Sequence, residues 1–193
     1  MAAESTRQLI LSTAFSLIQS KGYNGFSYRD IADEIGIKTA SIHYYFPKKC
    51  DLGRALMADY RSRFKDALLA IDQDADDSTN KLRQFTALFI QTLAQENRMC
   101  LCGMLATEIS TLPVEIVEEV KGFIADTEKW LTRLLTRGCQ AGWLQFAGNP
   151  EDQAKALFAA LEGAMITART LNDRRHLEKV AKQLHATMIV TNK

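Results

Sequence analysis

Apolar residues recur along this chain at the three- and four-residue intervals of a helix, and the two-residue alternation of a half-buried strand is missing throughout. Ile10, Leu11, Ala14, Leu17 and Ile18 make the first stripe. Ser5 opens it with Gln8 three residues later, the pattern of a capping box, and Gly22 follows its last turn. Ser27 and Asp30 repeat the capping pattern before Ile31, Ala32 and Ile35, and Gly36 interrupts this short second stripe. Residues 38–45 carry a third helix, since Ile42 and Phe46 continue the spacing and Pro47 stops it. A longer helix begins near Lys48, with Leu52, Leu56, Tyr60, Phe64, Leu68 and Ile71 on one face. It is expected to end at the acidic run Asp72 to Asp77, read as a solvated loop. Further helices are predicted at about 79–96, 100–110, 113–141, 150–171 and 173–190. Pro113 and Pro150 fall at helix starts, and Asn149 is a natural N-cap ahead of Glu151 and Asp152. The reading is all-α.

A length of 193 residues leaves room for one large or two small domains, and a hydrophobic share of 47% with 24% charged residues sets disordered and fibrous classes aside. The apolar runs are short and no basic segment precedes an apolar core at the N-terminus. The expectation is therefore a cytoplasmic protein without membrane attachment. Cys50, Cys100, Cys102 and Cys139 are too few and too irregular for a disulfide framework. The net charge of +1 is uneven: residues 1–65 hold ten Lys/Arg against six Asp/Glu, and residues 66–193 hold fourteen against seventeen. A basic N-terminal part on an acidic remainder suits an electrostatic DNA footprint at one end, although chance scatter in a window of this size gives the same sums.

Two short helices that cross through a glycine turn need a small residue in the first, a turn-permissive residue between them and apolar residues facing inward on both. Ala32, Gly36 and the set Ile31, Ile35, Ile37 and Ile42 meet these needs. The other face of the third helix offers Lys38, Thr39, Ser41 and His43 for base edges or phosphates, and Ala40 for a thymine methyl. A helical corner of a bundle with a solvated polar face would show the same spacing.

The segment 7–56 carries Lys21-Gly22-Tyr23, Ser27, Asp30-Ile31-Ala32, Gly36-Ile37, Ala40-Ser41-Ile42, Tyr44-Tyr45-Phe46-Pro47 and Lys49 with Leu52. In these fixed spacings it resembles the DNA-binding domain of the tetracycline-repressor (TetR) family. The resemblance implies a three-helix helix-turn-helix DNA-binding domain over residues 1–50, joined by helix 4 to a helical ligand-binding and dimerisation domain over residues 51–193. It implies that Thr39, Ala40, Ser41 and Tyr44 lie nearest the bases, with Ser27, Tyr45 and Lys49 on phosphates and Lys48 as a second cation. The family's usual Tyr-His-Tyr-Phe ending is His43-Tyr44-Tyr45-Phe46 here, which moves His43 toward packing or phosphate contact and away from base reading. The implied partners are double-stranded operator DNA, a small-molecule effector and a second copy of the chain, with repression as the default.

Beyond residue 60, Phe64, Leu68, Phe85, Phe89, Cys100, Met104, Phe123, Trp130, Phe158 and Met165 lie on inward stripes, with Thr127 and Glu162 as polar members of the set. Such residues line an effector pocket for an apolar or aromatic molecule, or simply fill a core. Cys100 precedes a predicted helix beside Arg98, so a thiol reactive toward the effector stands next to plain burial as its reading. Cys100 and Cys102 have no companion ligands at zinc spacing, and neither metal nor cofactor is expected. For the homodimer, the small residues Ala156, Ala160, Gly163 and Ala164 of the 150–171 helix, with Leu177, Leu184 and Met188 of the last helix, are the candidate interface or an intrachain packing face. An enzyme reading finds no paired carboxylates, Ser/His/Asp set or nucleotide loop; Glu108 and Glu162 read as hydrogen-bonded core residues. An interaction module that has lost DNA binding is the third class, disfavoured by Tyr45, Lys49 and the polar face of the third helix.

Overall fold

A computed structural model describes residues 5–74, 77–95 and 97–190, and among them are nine α-helices and no strand. They are α1 (Thr6–Lys21), α2 (Tyr28–Ile35), α3 (Thr39–Tyr45), α4 (Lys49–Asp74), α5 (Ser78–Ala94), α6 (Leu101–Thr107), α7 (Val114–Gln140), α8 (Pro150–Thr170) and α9 (Arg175–Met188). The only bridge of sheet type joins Leu144 to Ile189 among the described residues. None of the described helices is long and apolar enough to cross a membrane.

The caps read from sequence form. Ser5 Oγ accepts from the Gln8 amide at 3.3 Å, and Asn149 Oδ1 accepts from the Asp152 amide at 2.9 Å with Pro150 at the first helical position. The acidic run behaves differently from the expectation. α4 continues to Asp74, because Asp72 is held from the side by the Trp130 indole N–H at 2.9 Å and the Lys81 ammonium at 3.3 Å. Ala75 and Asp76 of that run, and Glu96 at the expected end of the next helix, lie outside the described residues. The helix expected over 100–110 closes at Thr107 and gives way to a 3-10 turn at Ile109–Thr111. The last helix is shorter than its apolar pattern. Asn172 takes φ 50° before it, and after it the Met188 carbonyl turns to accept from Gln145 at 2.8 Å.

Contacts divide the described residues into two compact units. One comprises the chain up to Ser62 with Leu101–Phe123, the other Arg63–Cys100 with Ile124 onward. The first therefore includes a later segment, α6 and the start of α7, that a boundary at residue 50 assigns elsewhere. Its core is built from Ile10, Ala14 and Ile18 of α1, Ile31 of α2, Ile42 of α3 and Leu52 and Met57 of α4, all buried. Each large aliphatic side chain buried this way contributes about 1.5–3 kcal/mol. The core of the second unit is assembled from Leu82, Phe85 and Phe89 of α5, Trp130, Leu131 and Leu135 of α7, Leu157, Phe158 and Leu161 of α8, and Leu177 and Ala181 of α9.

Candidate nucleic-acid interface

The working surface begins with a fixed corner. Asp30 Oδ2 accepts from the Ser27 amide at 2.7 Å and its hydroxyl at 2.6 Å, which closes the N-terminus of α2 and, through the hydroxyl bond first, holds the Asp30 carboxyl below its ordinary pKa. Gly36 ends α2 in the left-handed region, φ 69° and ψ 34°, a conformation that other residues adopt at a cost. Ala32 and Ile42 are buried where α2 meets α3, so the inner side of α3 is seated. Ile35 and Ile37 are only half-buried. The outer side carries Lys38, Thr39, Ala40, His43 and Tyr44 in solvent, with Ser41 half-buried; Tyr44 is 81% exposed. Tyr45 packs edge-on against Tyr44 at 5.1 Å between centroids. His43 is turned inward on one side: its Nδ1 lies 3.2 Å from the Pro47 carbonyl and its ring meets Tyr28 edge-on at 4.8 Å.

Three polar contacts set the angle of this corner. The Tyr28 hydroxyl donates to the Phe46 carbonyl at 2.8 Å, joining the start of α2 to the end of α3, and burial raises its pKa. The Lys49 ammonium donates to the carbonyl of Tyr23 at 2.5 Å and to that of Phe26, and it stands over both rings at 4.6 and 4.2 Å. Burial lowers its pKa, with Glu108 opposing. Two of its three N–H donors are thus spent inside the unit, so Lys49 is a structural residue first and keeps one donor for a phosphate. Glu108, just past α6, accepts from the Tyr23 amide at 2.6 Å and from the amide and side chain of Asn24 at 3.2 Å each. The carboxylate fits there because Gly22 has no Cβ: one would come within 2.9 Å of Glu108 Oε2.

Sequence reading placed Glu108 among hydrogen-bonded core residues but did not connect it to the α1–α2 loop. The separation of more than eighty residues leaves no local signal. Arg7, whose guanidinium lies 5.3 Å from the Phe46 ring centroid at the base of α3, was also missed for the same reason.

A short glycine-turned helix pair with a seated inner face and a solvated polar outer face is the geometry of a groove-reading helix-turn-helix. Residues 10–56 match the family described as bacterial regulatory proteins, tetR family, and residues 78–184 match the tetracyclin repressor-like C-terminal domain. The chain belongs to the TetR family. Solved structures share the fold across the whole chain. A TetR-family transcriptional regulator from Agrobacterium tumefaciens is 32% identical with a TM-score of 0.93, covering 95% of this chain and 97% of that one. A TetR transcriptional regulator from Legionella pneumophila is 35% identical with a TM-score of 0.89, covering 97% and 100%. The HTH-type transcriptional repressor NemR of Escherichia coli K12 is 23% identical over 181 residues, 90% of this chain and 88% of its own. Membership makes this chain a DNA-binding transcriptional regulator, a class without catalytic activity of its own.

In TetR terms the second unit is part of the regulatory half, and it gathers five of the aromatic candidates. Phe64, Phe85 and Phe89 meet edge-on at 5.3–6.5 Å, Trp130 stacks on Phe85 at 5.5 Å and Phe158 meets Phe89 at 6.2 Å. Leu68, Thr127 and Met165 are buried in the same unit, as is Cys100. Met104 and Phe123 fall in the first unit, where Phe123 stacks on Tyr60 at 5.3 Å. An apolar stripe does not say which core it enters, and Met104 and Phe64 are only half-buried. Both carboxylate oxygens of Glu162 are buried without a hydrogen bond of ordinary geometry. Burial pushes its pKa up to about 7, with the Cys100 thiol pulling weakly the other way.

The interface candidates divide by burial. Ala164, Leu177 and Met188 are buried within the chain's own α8–α9 packing, which corrects their assignment to a partner-facing surface. The small side chain of Ala164 lets α9 approach, and the approach removes these three from solvent. Ala156 and Gly163 are exposed, Ala160 and Leu184 half-buried, and a Cβ on Gly163 would meet nothing within 4 Å.

Proposed function

We propose that this regulator is a homodimeric repressor that reads operator DNA with the outer face of α3 and leaves it when a small, largely apolar or aromatic effector binds the regulatory half. The observation that carries the DNA reading is the division of α3, with Ile42 fully buried and Thr39, Ala40 and Tyr44 in solvent. Thr39, Ala40, Ser41 and Tyr44 reach bases, Lys38 reaches base edges or phosphates, and Ser27, His43, Tyr45, Lys48 and the remaining donor of Lys49 reach phosphates. The aromatic cluster and the buried Glu162 carboxyl support an effector with a flat apolar body and a polar hydrogen-bonding group. Dimerisation uses the outer face of α8, where an exposed glycine inside a helix is costly unless another backbone approaches it. A cytoplasmic location follows from this role.

The test is a gel shift at several salt concentrations on the DNA upstream of the chain's own gene. Saturable binding that Thr39→Ala redistributes among operator variants supports the reading. Equal loss of specific and non-specific affinity in Thr39→Ala sinks the base assignment, and no shift at any salt sinks the DNA role of α3. Effector coupling is reciprocal: a molecule that weakens operator binding roughly 5–150-fold must bind more weakly to the operator complex by the same factor.

A further inference from the structure

Both tryptophans of the sequence, Trp130 and Trp143, line one pocket of about 200 Å³ in the second unit, together with Asp72, Lys81, Arg133 and Arg137. Its only carboxylate among the described lining residues is already engaged. Asp72 accepts from the Trp130 indole N–H at 2.9 Å and from the Lys81 ammonium at 3.3 Å, while the same ammonium donates to the Asp72 carbonyl at 3.0 Å. The neighbouring acids are occupied as well, Asp74 by the Gln84 side-chain amide at 2.8 Å and Asp77 by the Asn80 amide at 2.7 Å.

Arg133 and Arg137 are left over. They sit one turn apart on α7, both exposed, and among the described residues neither guanidinium has an ion pair or side-chain hydrogen bond. Like charges at this spacing repel, and each guanidinium presents a planar fork that matches a carboxylate. The same pocket is lined by Trp143, 41% exposed, whose backbone is held on both sides. Its amide donates to the Gly138 carbonyl at 2.9 Å and its carbonyl accepts from the Val190 amide at 3.1 Å. The pocket thus pairs two unneutralised cationic forks with a flat apolar wall. Its volume equals that of roughly seven waters at about 30 Å³ each, room for a single ring and not for a nucleotide.

We propose that this pocket binds a small organic carboxylate with a flat apolar body, the carboxylate held by Arg133 and Arg137 and the body laid against Trp143. The site shares Trp130 with the Phe64–Phe158 cluster, but its two cationic forks are Arg133 and Arg137 and its test contains no DNA, so it stands or falls apart from the repressor reading.

Because both tryptophans of the chain line this pocket, tryptophan emission reports on it, and the arginine variants separate binding here from binding among the rings that Trp130 also touches. Titration of the full-length protein with benzoate should give a saturable change in emission with a Kd on the order of 0.1–1 mM, matched by calorimetry. Arg133→Ala and Arg137→Ala should each weaken it at least tenfold, with circular dichroism unchanged because both side chains are exposed. Arg137→Lys, which keeps the charge and loses the fork, should fall between parent and Arg137→Ala. Trp143→Phe leaves Trp130 as the reporter and keeps part of the affinity. Acetate and inorganic phosphate should bind more weakly than benzoate. An unchanged benzoate curve in both arginine-to-alanine variants, no saturable signal by either method, or acetate as tight as benzoate would each overturn the proposal.

Discussion

In the first unit the contacts that aim the working surface are polar. The Lys49 ammonium reaches two carbonyls, the Glu108 carboxylate accepts three N–H groups of the α1–α2 loop, and the Tyr28 hydroxyl ties α2 to α3. In the second unit the rings of Phe64, Phe85, Phe89 and Trp130 pack on one another, and burial raises the pKa of the Glu162 carboxyl. Hydrogen bonds fix angles, which a helix that must enter a groove of set width requires. Aromatic packing fixes area and tolerates adjustment, which would suit the proposed effector site. The two units thus solve opposite problems with opposite chemistry.

The comparison predicts where stability resides. Phe85→Ala removes a fully buried ring that contacts Phe64, Phe89 and Trp130, and it should destabilise by about 3–5 kcal/mol, read as a fall in thermal midpoint by calorimetry. A loss no larger than that of an exposed substitution would show that the rings are not the framework of this unit.

Glu162 sharpens the contrast through pH. Its folded pKa of about 7 lies above the ordinary glutamate value, so its contribution to stability is present at low pH and is lost as pH rises through about 7. Glu162→Gln, which stays neutral, should match the parent below about pH 4.5 and exceed it above pH 7 by up to about 3 kcal/mol. His185 works in the other sense: burial lowers its pKa, so its contribution is lost as pH falls. Subtracting the parent's profile from the variant's isolates Glu162. Parallel profiles would mean that the carboxylate is solvated.

Lys49→Ala leaves the Tyr23 and Phe26 carbonyls without their donor and should destabilise the first unit by about 1–3 kcal/mol, measured by urea denaturation, while weakening every DNA sequence alike. Glu108→Gln keeps acceptor geometry at one oxygen only and should lose less. If Lys49→Ala changes only the salt slope of DNA binding and not stability, Lys49 is a phosphate contact and the polar frame is wrong. Smallest in stability is Tyr44→Ala, expected within about 0.5 kcal/mol because the ring is in solvent, yet with a clear loss of operator affinity in the gel shift.

Much of the first unit is legible because its signals are local. Ser27 and Asp30 are three residues apart, Gly36 turns the corner in the left-handed region, and Ile42 falls at helical spacing from its neighbours. The effector and interface candidates are less legible. Phe123 and Phe85 lie on equally apolar stripes, but only the paths of α4 to α7 decide that they enter different cores. Ala164 and Gly163 are adjacent small residues on one helix, and a single step of about 100° turns one into the α9 contact and the other into solvent.

The sequence by itself determined the helices, their caps and stops, and the seated and solvated sides of the helix-turn-helix, because these depend on residues within a turn or two of each other. Only the tertiary structure decided that Glu108 holds a loop more than eighty residues away, that Lys49 points its charge into carbonyls, that burial raises the pKa of Glu162, and that two arginines and two tryptophans share a pocket. Those facts depend on which surfaces meet once helices pack. A helical period specifies the face a residue occupies, not what that face will touch.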